Sequence, residues 1–130
     1  MSLACWKDEY SVHVAEIDGQ HKQFFTLINK LDKVKNGDRA ALGIVLNELL
    51  DYATYHFSAE ERLLEQCAYP QSEDHKGRHR KFITKAVLIK KDFDRGKDIE
   101  PNEVMDWAGS WLIRHILGRD QRYVPYVSRD

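Results

Sequence analysis

His56 and Glu60 lie four residues apart in a run whose apolar residues recur at helical spacing. At about 100° per residue, this separation places both side chains on one face of a helix. The same face carries the apolar residues Leu42, Val45, Leu46, Leu49, Ala53, Leu63 and Leu64. An imidazole and a carboxylate buried without partners would cost several kcal/mol. A metal ion is the simplest partner that suits both groups.

Each of four predicted helices carries ligand-type residues on its apolar face. The candidates are His21, His56, Glu60, His75, His79, His115 and Asp120. His75 and His79 repeat the four-residue spacing, so both can reach one site. His115 and Asp120 are five residues apart, which at about 500° of rotation would make them diverge on a regular helix. Gly118 lies between them, and we expect it to unwind the last turn and bring Asp120 toward the core.

Seven candidate ligands exceed the four that zinc usually takes. They suit two ions, and the carboxylates are able to bridge them. Imidazole binds zinc, copper, nickel and iron, and mixed imidazole and carboxylate ligands are common for non-haem iron, so ligand type leaves the metal open. Each imidazole must lose its proton to coordinate, so affinity should fall as the pH drops below the ordinary histidine pKa of about 6.5. His13 lies outside the helices and is expected to be an ordinary surface or packing residue.

Short breaks between the apolar stripes define the elements that must position these residues. Residues 1–17 are expected to form an extended arm, followed by a first helix capped by Asp18 and reaching residue 34. A second helix spans residues 39–66, and Ser72 is expected to cap a third helix that closes at residues 94–96. Pro101 suits the start of a fourth helix, which Gly118 should stop. The sequence therefore predicts an all-α fold, an up-down-up-down four-helix bundle with an N-terminal extended arm and a short C-terminal helix or turn.

The 130 residues suit a single domain, residues 1–130. The net charge of -1, with both signs mixed along the chain, predicts no nucleic-acid partner and no polybasic membrane patch. No apolar run approaches the ~18 residues of a spanning helix, so no membrane insertion is expected. Lys7, Asp8 and Glu9 stand where a signal peptide would need an apolar core. We therefore expect a soluble cytoplasmic protein, with Cys5 and Cys67 reduced.

The order, spacing and type of these residues resemble the bacterial hemerythrins across nearly the whole chain. The matching segments are Trp6 with Tyr10-Ser11-Val12, Ile17-Asp18-Gly19-Gln20-His21, His56-Phe57-Ser58-Ala59-Glu60-Glu61, Tyr69-Pro70 with His75 and His79, and Trp111-Leu112-Ile113-Arg114-His115-Ile116 with Asp120 and Tyr123. Ala68 departs from the pattern, because it stands where the family often has glycine.

This resemblance implies a cofactor of two iron ions in an oxo- or hydroxo-bridged di-iron centre. Carried over position by position, His75, His79 and His115 would bind one iron, and His21 and His56 would bind the other. Glu60 and Asp120 would bridge the two. The second, five-coordinate iron would hold O2 reversibly as a hydroperoxide. The O2 pocket would be lined by Phe24, Phe57, Trp111, Leu112 and Ile116.

The implied function is reversible O2 binding for storage, transport or delivery, and not catalysis. O2 is the expected partner, an O2-consuming enzyme is a candidate recipient, and the chain is expected to be a monomer or weak oligomer. Five imidazoles and two carboxylates place limited negative charge on the irons, and the two Glu-x-x-His motifs of di-iron carboxylate proteins are absent. This favours carrying O2 over activating it. The alternatives are a di-iron enzyme (peroxidase, iron oxidase or nitric-oxide handling), an O2 sensor, and a zinc or structural bundle.

Overall fold

The structure is a computed structural model that describes residues 4–35 and 37–127. Residues 1–3, 36 and 128–130 of the predicted domain lie outside the described part. Four long helices, α1 (Ala15–Asn29), α2 (Arg39–Gln66), α3 (Ser72–Asp94) and α4 (Pro101–His115), are followed by the short α5 (Gln121–Val127). The described ranges contain no strand. The predicted all-α four-helix bundle with a short C-terminal helix is confirmed.

The apolar stripes of the helices meet in two clusters along the bundle. The larger includes Phe24, Phe57, Phe82 and Leu112, which are all buried. The smaller is formed by Val12, Ile17, Leu64, Tyr69 and Tyr123 at the end where the N-terminal arm and α5 meet. The buried polar residues lie between these clusters. Nowhere in the described ranges is a helix both long enough and apolar enough to cross a membrane.

The start of α1 differs from the sequence prediction. The helix begins at Ala15, so the prediction that Asp18 caps it was wrong. The Asp18 carboxylate instead accepts hydrogen bonds from the Ser11 hydroxyl (2.6 Å) and from the Val12 backbone N–H (2.9 Å). These bonds hold the arm, which contains a short 3-10 turn at Asp8–Tyr10, against the bundle. At its other end, α1 is followed by a 3-10 turn at Lys30–Lys33. The helix and this turn together reach the residue at which the first helix was predicted to end.

The ends of α2 and α3 follow local sequence signals with one exception. α2 has the predicted bounds, and the Asp38 carboxylate caps it by accepting a hydrogen bond from the Ala41 N–H. The prediction that Ser72 caps α3 was wrong, because Ser72 is the first helical residue and its buried hydroxyl has no partner among the described residues. Gly96, with a φ of 90°, closes α3 as predicted, since a left-handed residue after a helix favours glycine.

The end of α4 is a π turn and not a stop. Residues Ile116–Asp120 form this turn, and the chain continues directly into α5. A π turn pairs residues five apart, so it brings His115 and Asp120 onto one face. Gly118 neither ends the helix nor adopts a positive φ. The predicted position of Asp120 is therefore confirmed, and the turn that contains Gly118 is unwound as expected, but the prediction that Gly118 stops the fourth helix was wrong.

Candidate metal centre

The seven predicted ligand residues converge in one buried space. α1 supplies His21, α2 supplies His56 and Glu60, α3 supplies His75 and His79, and α4 with its π turn supplies His115 and Asp120. None of the seven residues is more than 5% exposed. Six of the seven form two groups, each with its ligand atoms within 4.8 Å of one another. Glu60 belongs to both groups, and Asp120 lies beside both, 3.0 Å from His75 and 3.2 Å from His21. His13, by contrast, is exposed and outside the site, as predicted.

The three-histidine group has ligand atoms at nearly uniform separations. His75 Nε2 lies 3.0 Å from Glu60 Oε1 and 3.0 Å from Asp120 Oδ1. His79 Nε2 lies 3.0 Å from Glu60 Oε1 and 3.1 Å from His115 Nε2. His115 Nε2 lies 3.2 Å from Asp120 Oδ1. Three nitrogens and two oxygens therefore surround one small space.

These separations fit the coordination shell of a single metal ion. Donor atoms about 2.1 Å from a shared ion, and at right angles to each other, lie about 3.0 Å apart. The five measured separations therefore match the distances expected between neighbouring ligands of one ion. An ion held here would have His75, His79, His115, Glu60 and Asp120 as its candidate ligands.

The two-histidine group is more open. His21 Nε2 lies 3.2 Å from Asp120 Oδ2 and 3.8 Å from Glu60 Oε2. His56 Nε2 lies 4.0 Å from Glu60 Oε2. This group offers two nitrogens and two oxygens, one donor fewer than its neighbour. An ion held here would retain more free coordination positions.

The two carboxylates each face both groups. Glu60 directs Oε1 to His75 and His79 and Oε2 to His21 and His56. Asp120 directs Oδ1 toward His75 and His115, and Oδ2 toward His21. A carboxylate that presents one oxygen to each of two ligand groups has the geometry of a bridge.

Several buried polar atoms in the site have no hydrogen-bond partner among the described residues. They are Nε2 of His21, Nε2 of His56 and both oxygens of Asp120. The 3.2 Å contact between His21 and Asp120 is an ion-pair distance without hydrogen-bond alignment. Buried polar atoms left unsatisfied cost about 1–3 kcal/mol each. The orphaned atoms are donors of the kind that bind a cation, so the residues fit the predicted metals.

Three further side chains orient the candidate ligands. His56 Nδ1 lies 2.7 Å from Gln20 Oε1, and His79 Nδ1 lies 2.8 Å from Glu61 Oε2. With these oxygens as acceptors, each ring carries its proton on Nδ1 and can turn the Nε2 lone pair to the site. The Tyr123 hydroxyl donates a 2.8 Å hydrogen bond to Glu60 Oε2.

Sequence reasoning assigned no role to Gln20, Glu61 or Tyr123. The sequence does contain a signal for Gln20. It lies next to His21 near the buried face of the first helix, where a polar side chain needs a hydrogen-bond partner. Tyr123 gave no such signal, because it enters the site only through the π turn that rotates α5.

Mutual hydrogen bonding sets the charges of the metal-free site. Burial acts to lower the pKa of His75, but the Asp120 carboxylate 3.0 Å away and the hydrogen bond to Glu60 outweigh it and raise this pKa to about 10. The pKa of His21 is also raised, since Asp120 outweighs the effect of burial. His56 has no such bond, and burial lowers its pKa to about 3. Burial acts to raise the pKa of Glu60, but hydrogen bonds from His75 and His79 hold it well below its usual range.

Aromatic and aliphatic side chains close the site on its inner side. The ring of Phe57 stacks on His79 at 4.0 Å, and Trp111 stacks on His115 at 4.5 Å. Phe24 meets His56 edge to face at 5.8 Å. Leu112 and Ile116 are fully buried in the larger apolar cluster. Phe24 therefore lies on the two-histidine side, Trp111 lies on the three-histidine side, and Phe57 also approaches His56, at 5.6 Å.

Comparison with known proteins identifies a cation-binding family that matches most of the chain. Residues 12–127 match the family described as the Hemerythrin HHE cation binding domain. The chain is 35% identical over 128 residues to a bacteriohemerythrin of Stenotrophomonas maltophilia, covering 98% of this chain and 83% of that protein. It is 32% identical to a bacteriohemerythrin of Methylococcus capsulatus, covering 98% and 99% of the two chains.

A solved structure described as wild-type hemerythrin has the same fold. It superposes with a TM-score of 0.92 at 30% identity, covering 98% of this chain and 100% of that one. The family match spans most of the chain, and the structural match includes every helix of the bundle. The chain therefore belongs to the hemerythrin family.

Proposed function

We propose that this protein binds O2 reversibly at a non-haem di-iron centre. In this proposal His75, His79 and His115 hold one iron, His21 and His56 hold the other, and Glu60 and Asp120 bridge them. One observation carries the proposal: both carboxylates present separate oxygens to two histidine groups. If only one ion were bound among His75, His79 and His115, the buried Nε2 atoms of His21 and His56 would still have no partner. Such unpartnered buried polar atoms are costly.

Two ferrous ions would supply the electrons and the vacant coordination position that O2 capture requires. The protein contributes position and environment. Gln20 and Glu61 fix the rings of His56 and His79 through their Nδ1 atoms, and Tyr123 holds one oxygen of Glu60. Ligands held in this way keep the two-histidine group open, because no further donor among the described residues completes it.

The apolar wall supports binding rather than turnover. Phe24, Leu112 and Ile116 are fully buried, and Phe57 is nearly so. A dry wall excludes water and slows proton delivery to a bound ligand, which suppresses side reactions. We therefore infer an O2 carrier and not an enzyme. We further propose that it acts in the cytoplasm as a monomer or weak oligomer and passes O2 to an O2-consuming protein.

Anaerobic loading with ferrous iron followed by O2 titration tests the proposal. We expect a coloured adduct with one O2 per chain, and we expect it to disappear under vacuum and reform on re-exposure to O2. Continuous O2 consumption without a reversible adduct would contradict a carrier and favour a di-iron oxidase. A stable fold that binds zinc and no iron would contradict both.

A further inference from the structure

A small basic pocket opens on the surface beside the three-histidine group. Its volume is about 160 Å³, and its lining residues are Arg78, Lys81, Trp111, Arg114, His115 and Arg119. α3 supplies one side, while α4 and the π turn supply the other. Nothing in the proposed O2 chemistry uses this pocket.

The charges of the pocket are strongly one-sided. Four of its lining residues are arginine or lysine, whereas the whole chain carries a net charge of -1. The Asp74 carboxylate lies 3.2 Å from Arg78 Nε and 3.8 Å from an Arg119 nitrogen. Two guanidinium groups therefore share one carboxylate, and each keeps N–H donors that could bind an anion.

The other two cations are uncompensated. Lys81 and Arg114 are exposed and form no ion pair or hydrogen bond with the described residues. Among the described residues, Asp74 is the only carboxylate that forms an ion pair with any of the four cations. Like charges held together in a concavity repel each other, and an anion relieves this repulsion.

Two aromatic rings in the pocket lining stack on each other. Trp111 lies flat on His115, with ring centroids 4.5 Å apart and planes 13° apart. The enclosed volume fits a tetrahedral oxyanion and not a folded protein element. Arginine guanidinium groups match the oxygens of phosphate in paired hydrogen bonds, and lysine adds a point charge.

We propose that this pocket binds a phosphate-class oxyanion, either free or as the phosphate group of a small organic molecule. The anion lies between α3 and the end of α4, in contact with Lys81 and Arg114. Anion binding in this pocket does not depend on O2 binding, so each of the two proposals can be tested without the other.

Calorimetric titration of the intact, purified chain with inorganic phosphate tests the proposal. The comparison is chloride at matched ionic strength. We expect saturable phosphate binding near 1 mM or tighter, with a change in tryptophan fluorescence that chloride does not produce. The double variant Lys81→Gln/Arg114→Gln should bind phosphate about tenfold or more weakly.

A matched control separates the pocket from the overall charge. The variant Arg62→Gln/Lys91→Gln removes one arginine and one lysine that are exposed elsewhere on α2 and α3. It changes the net charge by the same amount and should bind phosphate as the wild type does. Equal loss in both variants would overturn the proposal. So would undiminished binding in the pocket variant, because that would place phosphate elsewhere, including at the metal centre.

Adenosine monophosphate distinguishes the source of the anion. Affinity similar to that of phosphate indicates a free oxyanion, and affinity more than tenfold tighter indicates a phosphate carried by a larger molecule. Both outcomes support the pocket. Binding of polyglutamate without any binding of phosphate would overturn the proposal, because the surface would then recognise an acidic protein.

Discussion

His75 shows how the residues of the site depend on one another. The Asp120 carboxylate 3.0 Å away and the hydrogen bond to Glu60 outweigh burial and raise its pKa to about 10. In the metal-free protein, this raised pKa contributes stability that is fully present below pH 6.5 and is lost as the pH rises through 10. Metal binding has the opposite dependence, because the metal must displace the same proton.

Metal affinity should therefore increase with pH over a window that lies above the ordinary histidine range. The neighbouring carboxylates move this window upward from the value of about 6.5 expected for an isolated histidine. Between about pH 6.5 and 8.5 we expect a rise of about tenfold per pH unit for each proton released. Anaerobic titration of ferrous ion against a competing chelator, corrected for protonation of the chelator, measures this rise. A pH-independent affinity would show that His75 is already neutral.

Tyr123 is expected to hold Glu60 in place before metal arrives. Its hydroxyl is the donor to Glu60 Oε2 at 2.8 Å, and burial raises its pKa well above the usual value, so it stays protonated. Tyr123→Phe should cost the metal-free protein about 1–3 kcal/mol in the free energy of unfolding. Urea denaturation measures the loss. Tyr126→Phe, on the same helix, should change stability by less than about 0.5 kcal/mol, and equal effects would contradict the role of the hydrogen bond.

Leu112 tests the proposed apolar wall. The residue is fully buried in the larger apolar cluster, so Leu112→Ala leaves a cavity there. Under the proposed function, this cavity admits water to the O2 pocket more easily. We expect the O2 adduct to autoxidise several-fold faster, as followed by its optical spectrum. Leu88→Ala, at a position that is 55% exposed on α3, provides the control. Equal rates in wild type and Leu112→Ala would show that the wall does not protect the adduct.

At the level of single elements, the loop between α2 and α3 carries a local strain. Ala68 has a φ of 54°, a left-handed conformation that favours glycine. The same position departs from the family pattern in the sequence, where glycine is common. The consequence of this departure is a left-handed backbone at a residue that has a Cβ. Ala68 keeps the loop conformation despite its Cβ.

Ala68→Gly should therefore stabilise the protein. Relief of the left-handed strain outweighs the extra entropy of the unfolded chain, and we expect a gain of about 0.5–1 kcal/mol in the free energy of unfolding. Ala40→Gly, in the exposed first turn of α2, should instead lose about 0.5–1 kcal/mol. Chemical denaturation distinguishes the two signs. A loss at both positions would show that Ala68 is not strained.

Local signals explain which elements were predictable. α2 was predicted to the residue because Asp38 supplies a capping carboxylate and the apolar stripe is long. α1 was misplaced because Asp18 has the residue type of a cap but is used by Ser11 and Val12, a contact that only the folded arm creates. An unwound turn after His115 was predicted from Gly118, but its π form and its direct continuation into α5 were not.

For the molecule as a whole, the candidate metal centre also connects the four long helices. Its seven candidate ligands come from every long helix and the π turn, so metals held there would join the whole bundle. The helical spacing in the sequence was sufficient to place these residues on inward faces. The orienting contacts of Glu61 and Tyr123 were not predictable, since they depend on how neighbouring helices are rotated.

Metal removal should therefore destabilise the whole fold. A ligand present at about 1,000 times its Kd adds about 4 kcal/mol to the free energy of unfolding. For a chain of this size, that loss corresponds to a decrease in Tm of roughly 10–20 °C. Calorimetry before and after anaerobic chelation measures it, and restored iron should recover the original Tm. An unchanged Tm would show that the metals do not stabilise the bundle.

Anomalous X-ray scattering at the iron edge, from crystals of the iron-loaded protein, tests the central claim most directly. We predict two iron peaks per chain, separated by about 3.5–4 Å. One should lie among His75, His79 and His115, and the other beside His21 and His56, with Glu60 and Asp120 between them. A single peak, or two peaks that share no carboxylate, would contradict the bridged two-metal centre.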